Sequence, residues 1–173
     1  MLQAAILVIF PFCMLFAAIS DMVSMTIANR VSVILVVAFA VLAPLTGMDW
    51  ATYGMHFAAG GLVLAVTFSI FAFGGMGGGD AKLLAATAVW MGFGFLLLEY
   101  LVFGAVFGGL LTLAILKFRS SPVSVFTGRN VFLRHFADEK AGIPYGVALG
   151  VAGLLVFPET ALMQWVLATI AGA

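Results

Sequence analysis

Apolar runs occupy most of the chain, at 2–20, 31–46, 54–73, 82–98, 101–117 and 143–157, separated by short stretches rich in polar residues, charge or glycine. A helix needs about 20 predominantly apolar residues to cross a bilayer. The pattern therefore predicts an all-α fold, a polytopic membrane bundle of about six transmembrane helices. The region 83–116 is too long for one span, so a tight hairpin is predicted within it, near Glu99 and Tyr100. A last stretch, 160–172, is too short to span. It either continues the sixth helix past Pro158 or folds back as a half-helix.

Composition strengthens this reading. Of 173 residues, 65% are hydrophobic and only 8% are charged, whereas a soluble domain carries about a quarter charged residues. So few charges cannot cover a water-facing surface, and lipid must form part of the solvent. The spans consume nearly the whole chain, which predicts a single membrane-embedded domain over 1–173. No Lys or Arg precedes the first apolar run, as a signal peptide would require, so that run is read as a retained helix. Cys13 is the only cysteine. It excludes an internal disulfide and a cysteine-based zinc cluster, and a small packing role suits it.

The formal net charge is zero, so the placement of charge carries the information. Arg30 follows the first span, Lys82 follows the third, and Lys117, Arg119, Arg129, Arg134 and Lys140 crowd the connection at 117–142. With the N-terminus outside, all seven basic residues fall on one face. The remaining connections carry Asp49, Glu99 and Glu159 and no basic residue. This is a positive-inside pattern, with loops 20–30, 74–82 and 117–142 in the cytoplasm. In the longest of these, Val131, Phe132 and Phe136 alternate with Arg129, Arg134 and Lys140. That pattern suits either a short helix lying on anionic headgroups or a solvated tether.

Ionisable groups at membrane depth are expensive and are functional candidates by default. Asp21 closes the first helix. Asp80 closes the run Gly74-Gly75-Met76-Gly77-Gly78-Gly79 and opens the fourth. Both belong to the cytoplasmic side, where a bundle can bring two helix ends together. Two facing carboxylates cannot both ionise cheaply and tend to share one proton. One then takes a proton from water while the other, protonated, polarises a carbonyl and assists the leaving amine. The glycines before Asp80 allow backbone conformations closed to other residues and close approach of an extended substrate. The opposing reading is structural: an Asp at a helix start is often only a cap, and glycines pack membrane helices closely.

The ordered set of motifs resembles a known family. Gly77-Gly78-Gly79-Asp80-Ala81-Lys82 matches the G-x-G-D-x-K of type IV prepilin peptidases, which are intramembrane aspartyl proteases. Asp21 with Ile27-Ala28-Asn29 looks like the family's first catalytic Asp and its downstream I-P-N, and Ile143-Pro144-Tyr145-Gly146 looks like its I-P-Y-G element. The resemblance implies catalytic roles for Asp21 and Asp80. It also implies substrate-binding or site-shaping roles for Gly77, Gly79, Lys82, Asn29, Pro144, Tyr145 and Gly146. The substrate implied is a prepilin, cut at the cytoplasmic face after a short basic leader, with its hydrophobic helix left in the bilayer beside the enzyme and the pilus assembly machinery as a further partner. Ala28 stands where the family usually has proline, which predicts a looser turn. The chain lacks the insertion with paired C-x-x-C motifs of relatives that also N-methylate the pilin, so methyltransferase activity is not expected. In this it is similar to the short peptidases of Flp/Tad pilus systems.

No cofactor, metal or nucleic-acid partner is expected, since His56 and His135 have no ligand partners at metal-binding spacing. Two other classes fit the composition. A small proton- or cation-coupled transporter explains buried acids and broken helices, although both aspartates sit at one face. A non-catalytic pilus assembly factor uses the glycines for packing alone. Tyr145 also fits an aromatic belt, and Lys82 a headgroup anchor.

Overall fold

A computed structural model describes residues 1–121 and 142–172. The described residues form seven α-helices and one 3-10 turn, with no strand among them. The helices are α1 (Leu2–Ser24), α2 (Asn29–Leu45), α3 (Trp50–Ala72), α4 (Gly78–Met91), α5 (Phe95–Arg119), α6 (Tyr145–Val156) and α7 (Ala161–Ala171). Helices α1, α3 and α5 are each long and apolar enough to cross a bilayer, and α6 with α7 amounts to a fourth span if the bent pair is counted as one. The chain is a multi-pass membrane helix bundle. The expected six spans are not six equal ones, however. Helix α2 has 17 residues and α4 has 14; at 1.5 Å per residue α4 is about 21 Å long.

Helix α4 tolerates its shortness because it lies inside the protein. Ala81 and every residue from Leu83 to Met91 are buried, with α3, α2 and α6 packed around it. The close approach of α3 depends on Gly60: a Cβ there would overlap the Val89 side chain and sit 3.1 Å from the Ala85 carbonyl oxygen. We expect Gly60→Val to lower thermal stability in detergent by about 1–3 kcal/mol, the usual range for forcing extra atoms into a packed interface. Gly61→Val, whose Cβ would meet nothing within 4 Å, should leave the melting temperature nearly unchanged.

Away from the aspartates, an aromatic cluster ties the helices together. Trp90 is fully buried and donates its indole N–H to the Leu35 carbonyl at 2.9 Å. Its ring meets Phe10 and Phe39, and Phe10 stacks on Phe157 at 4.7 Å. His56, placed by the sequence at the outer face, is buried there with Nδ1 2.8 Å from the Val89 carbonyl oxygen. Cys13 is also buried in the core.

Several boundaries move. The turn between α4 and α5 falls at Gly92–Gly94, not at Glu99 and Tyr100, both of which lie within α5. The reason is conformational. Gly92 (φ 69°) and Gly94 (φ 155°) take positive angles that glycine adopts without penalty, and the Glu99 charge alone does not interrupt a helix. Beyond α6, the chain bends by 44° at the turn containing Pro158, so α7 continues in a new direction instead of folding back. Asp21 lies one turn inside α1, and Asp80 is the third residue of α4. The connections at these two points shrink to 25–28 and 73–77. The basic loop with Arg129, Val131, Phe132, Arg134, His135, Phe136 and Lys140 lies outside the described residues.

The helix directions gather the aspartates at one end of the bundle, with the last turn of α1 and the first turns of α2, α4 and α6. The end of α5 joins them, since Arg119 donates to the Gly142 carbonyl at 3.1 Å. Arg30, Lys82, Lys117 and Arg119 therefore share this end, whereas Asp49, Glu99 and Glu159 begin or precede helices at the other.

Candidate active site

The turn after Asp21 is built from short hydroxyls. Ser24 Oγ donates to the Ser20 carbonyl at 2.7 Å and lies 2.8 Å from Thr26 Oγ1, and Ser20 Oγ donates to the Thr26 carbonyl at 2.9 Å. Met25 closes α1 in the left-handed region (φ 52°), its N–H bonded to the Asp21 carbonyl at 2.8 Å. Ala28 then starts α2 at φ −65°, close to the angle a proline ring imposes. The turn expected to be looser is a four-residue connection, 25–28, whose start carries these hydroxyl bonds.

Asp21 is buried, at 5% exposure. Its Oδ2 accepts the Gly146 backbone N–H at 2.7 Å. Pro144 caps α6 and carries no N–H of its own. Of the first-turn N–H groups it is that of Gly146 that reaches Asp21, those of Tyr145 and Val147 being bonded to the Ile143 and Pro144 carbonyls. A positive helix end facing a carboxylate is a favourable electrostatic arrangement. No side chain fits between the partners. A Cβ on Gly146 would be 2.9 Å from Asp21 Oδ2 and 2.7 Å from Ile27 Cδ1.

Asp80 sits in the first turn of α4 and is half-buried. It lines a pocket of about 300 Å³ with Gly75, Met76, Gly77, Ile143 and Tyr145. Its carboxylate folds back over the helix start, where a Cβ on Gly77 would lie 2.8 Å from Oδ2. Gly79 serves a different purpose: a Cβ there would press on Ile27 at 3.2 Å. Ile27 thus fills the space between Gly79 and Gly146, joining the two aspartate-bearing regions. The Asp21 and Asp80 charges act on each other, so the two carboxylates share one electrostatic environment although only Asp80 opens into the pocket.

Tyr145 borders this pocket, and its ring lies against α5 at Gly108, where any Cβ would overlap it. Sequence reading passed over Gly108, as it did Ser20, Ser24 and Thr26. A small residue in an apolar helix looks like any other packing glycine, and the hydroxyls carry no motif of their own. Lys82 and Asn29 do not face Asp80. Lys82 Nζ donates to Asn29 Oδ1 at 2.9 Å, and both border a separate groove between α2, α3 and α4.

Chemically, the arrangement offers two interacting carboxylates, one anchored by a backbone N–H and one facing a pocket with a glycine-rich wall. Such a pair can take a proton from water with one member and deliver one with the other. The model of the type IV leader peptidase family matches residues 8–115, which include Asp21, Asn29 and the run from Gly77 to Lys82. The match ends before Pro144, Tyr145 and Gly146, so the contact of Gly146 with Asp21 is a tertiary link beyond the matched segment. No curated protein matches the chain, and no solved structure does.

Proposed function

The chain belongs to the type IV leader peptidase family, and from that membership we propose that it removes the leader of Flp-type prepilins with Asp21 and Asp80 as its catalytic pair. The observation that carries this reading is the convergence of the two carboxylates at one end of the bundle. Asp21 is held by the α6 N-terminus, and Asp80 is presented to a pocket. In the reaction one carboxylate accepts a proton from water as its oxygen attacks the scissile carbonyl. The other, protonated, first bonds that carbonyl oxygen. Collapse of the tetrahedral intermediate breaks the C–N bond as a proton passes to the leaving amine. The pair titrates as a unit, so acid and base roles belong to the dyad and not to one residue.

Topology follows from charge. The described basic residues cluster at the aspartate end, which the positive-inside rule puts in the cytoplasm. The N-terminus then lies outside the bacterial inner membrane, and cleavage occurs at its cytoplasmic face, where the pilus assembly machinery can take up the product. Gly77 and Tyr145 shape the pocket, Pro144 and Gly146 seat Asp21, and Gly79 lets Ile27 pack between the two regions. Lys82 and Asn29 hold the start of α4 against that of α2.

The test is cleavage of a pilin precursor by purified, detergent-solubilised protein. Leader removal that persists in excess chelator is the expected result, with a rate that falls on both the acidic and the alkaline side of an optimum, as a shared-proton pair requires. Abolition by chelator overturns the carboxylate mechanism, and failure of folded protein to cut any pilin precursor overturns the assignment.

A further inference from the structure

The reaction needs more than two acids, because a precursor with an apolar helix must lie beside them in the bilayer. Four of the apolar grooves on the described residues bear on where it lies. The first, bounded by α2, α3 and α4, opens at Lys82 and Asn29. Lys82 is two residues from Asp80, which places it about 200° around the helix, so this groove faces away from the site. A second runs between α1 and α2 and ends at Ala28 and Arg30, touching neither α4 nor Asp80. A third lies on the outside of α5 and α6, along Leu110, Val147 and Val151, again without a contribution from α4.

The fourth is different. Residues of α3, α4 and α5 line a cleft of about 470 Å³, Leu62, Val66, Leu84, Leu97, Leu98 and Leu101 among them. Its floor residue Leu84 is four positions after Asp80, on the same face of α4 and about 6 Å along the axis. At its other end the cleft reaches the α4–α5 turn at Phe93 and Gly94. Apart from Thr67, whose hydroxyl is turned to the Val63 carbonyl, the side chains lining the cleft are apolar. One turn from Leu84 on α4, Asp80 lines the separate pocket it shares with Tyr145, Gly75 and Gly77. Along α4 the apolar cleft at Leu84 and the polar pocket at Asp80 are thus one helical turn apart.

A leader-bearing precursor has the same polarity order, an apolar helix joined to a polar leader with the scissile bond near the junction. We infer that the apolar helix of the precursor docks in the cleft between α3 and α5, and that the leader runs on over Asp80 into the glycine-walled pocket. This inference rests on the peptidase reading and extends it to the path of the substrate. Bilayer lipid fits an apolar cleft as well, but lipid would occupy all four grooves alike, whereas a substrate helix selects the one that leads to Asp80.

Cross-linking tests it directly, since Cys13 is the only native thiol and is buried. In a Cys13→Ala background shown to cleave the precursor, single cysteines are placed in the cleft (Val66→Cys, Leu98→Cys). Others go into the three remaining grooves (Val37→Cys, Ile34→Cys, Leu110→Cys); all five positions are exposed on the bundle surface. Each is combined with Asp80→Asn to hold an uncut precursor carrying one cysteine early in its apolar segment. Disulfide formation at Val66 and Leu98 severalfold above the other three is the expected result. Equal or stronger trapping elsewhere, or none at any position, overturns the docking while the demonstrated cleavage keeps the peptidase reading intact. As a second measure, Val66→Trp and Leu98→Trp should slow precursor cleavage severalfold and Ile34→Trp should not; the reverse pattern overturns the inference. A background protein that cleaves no precursor removes the peptidase reading and this inference with it.

Discussion

Replacing either aspartate by asparagine is expected to slow leader removal by about 100- to 10,000-fold, the range lost when a positioned proton carrier is removed, while the protein still inserts and melts normally. The substitution is informative because asparagine keeps the shape of the side chain and removes only its capacity to take or give a proton. At position 21 it also keeps a carbonyl oxygen able to accept the Gly146 N–H, now made at 2.7 Å, so the junction of α1 and α6 survives. Asp21→Ala removes that acceptor and leaves a buried N–H without a partner. It should lower stability by about 1–3 kcal/mol in addition to abolishing turnover. Asp80 lines an open pocket, so Asp80→Asn and Asp80→Ala should differ little in stability. Cleavage rates with a pilin precursor and melting curves in detergent separate the two effects. Activity surviving in either asparagine variant would rule out a two-carboxylate mechanism.

The second large effect is expected at a residue with no chemistry of its own. Gly146→Ala adds one methyl group where the nearest atoms are Ile27 Cδ1 at 2.7 Å, Asp21 Oδ2 at 2.9 Å and Asp21 Cβ at 3.0 Å. The tip of Ile27 can rotate away, but Asp21 Cβ is fixed to the α1 backbone. The start of α6 must therefore move off α1, which stretches the bond that holds the carboxylate. Such overpacking costs about 1–3 kcal/mol, and the displaced carboxylate should reduce the cleavage rate at least tenfold. The control is Gly109→Ala, whose added Cβ would meet nothing within 4 Å and which should leave both readouts unchanged. Equal behaviour of the two variants would show that the α1–α6 contact does not matter to the site.

Much of the molecule was legible from the chain alone, for local reasons. Apolar run length and scarcity of charge are properties of contiguous residues, and they are enough to identify a helical membrane bundle. The described basic residues, Arg30, Lys82, Lys117 and Arg119, mark one end because each sits near a helix terminus in sequence as well as in space. Asp21 and Asp80 stood out because an acid bordering an apolar run is conspicuous without any knowledge of its neighbours. The family could be read from Gly77-Gly78-Gly79-Asp80-Ala81-Lys82 for the same reason, since a contiguous motif survives in one dimension.

What the tertiary structure decided are the relations between residues far apart in sequence. The hairpin between α4 and α5 turns at Gly92–Gly94 because backbone freedom, not charge, sets where a buried helix can reverse. Lys82 pairs with Asn29 and turns from Asp80, a consequence of the helical repeat once α2 is packed on α4. Gly146 closes on Asp21, Ile27 fills the space beneath, and the Tyr145 ring rests on Gly108. None of these contacts has a signature in the sequence, because a glycine chosen for close approach is written the same way as one that faces lipid. In a bundle whose surface is as apolar as its interior, hydrophobicity says that a residue is in the membrane but not which helix it touches, and only the packing supplies that.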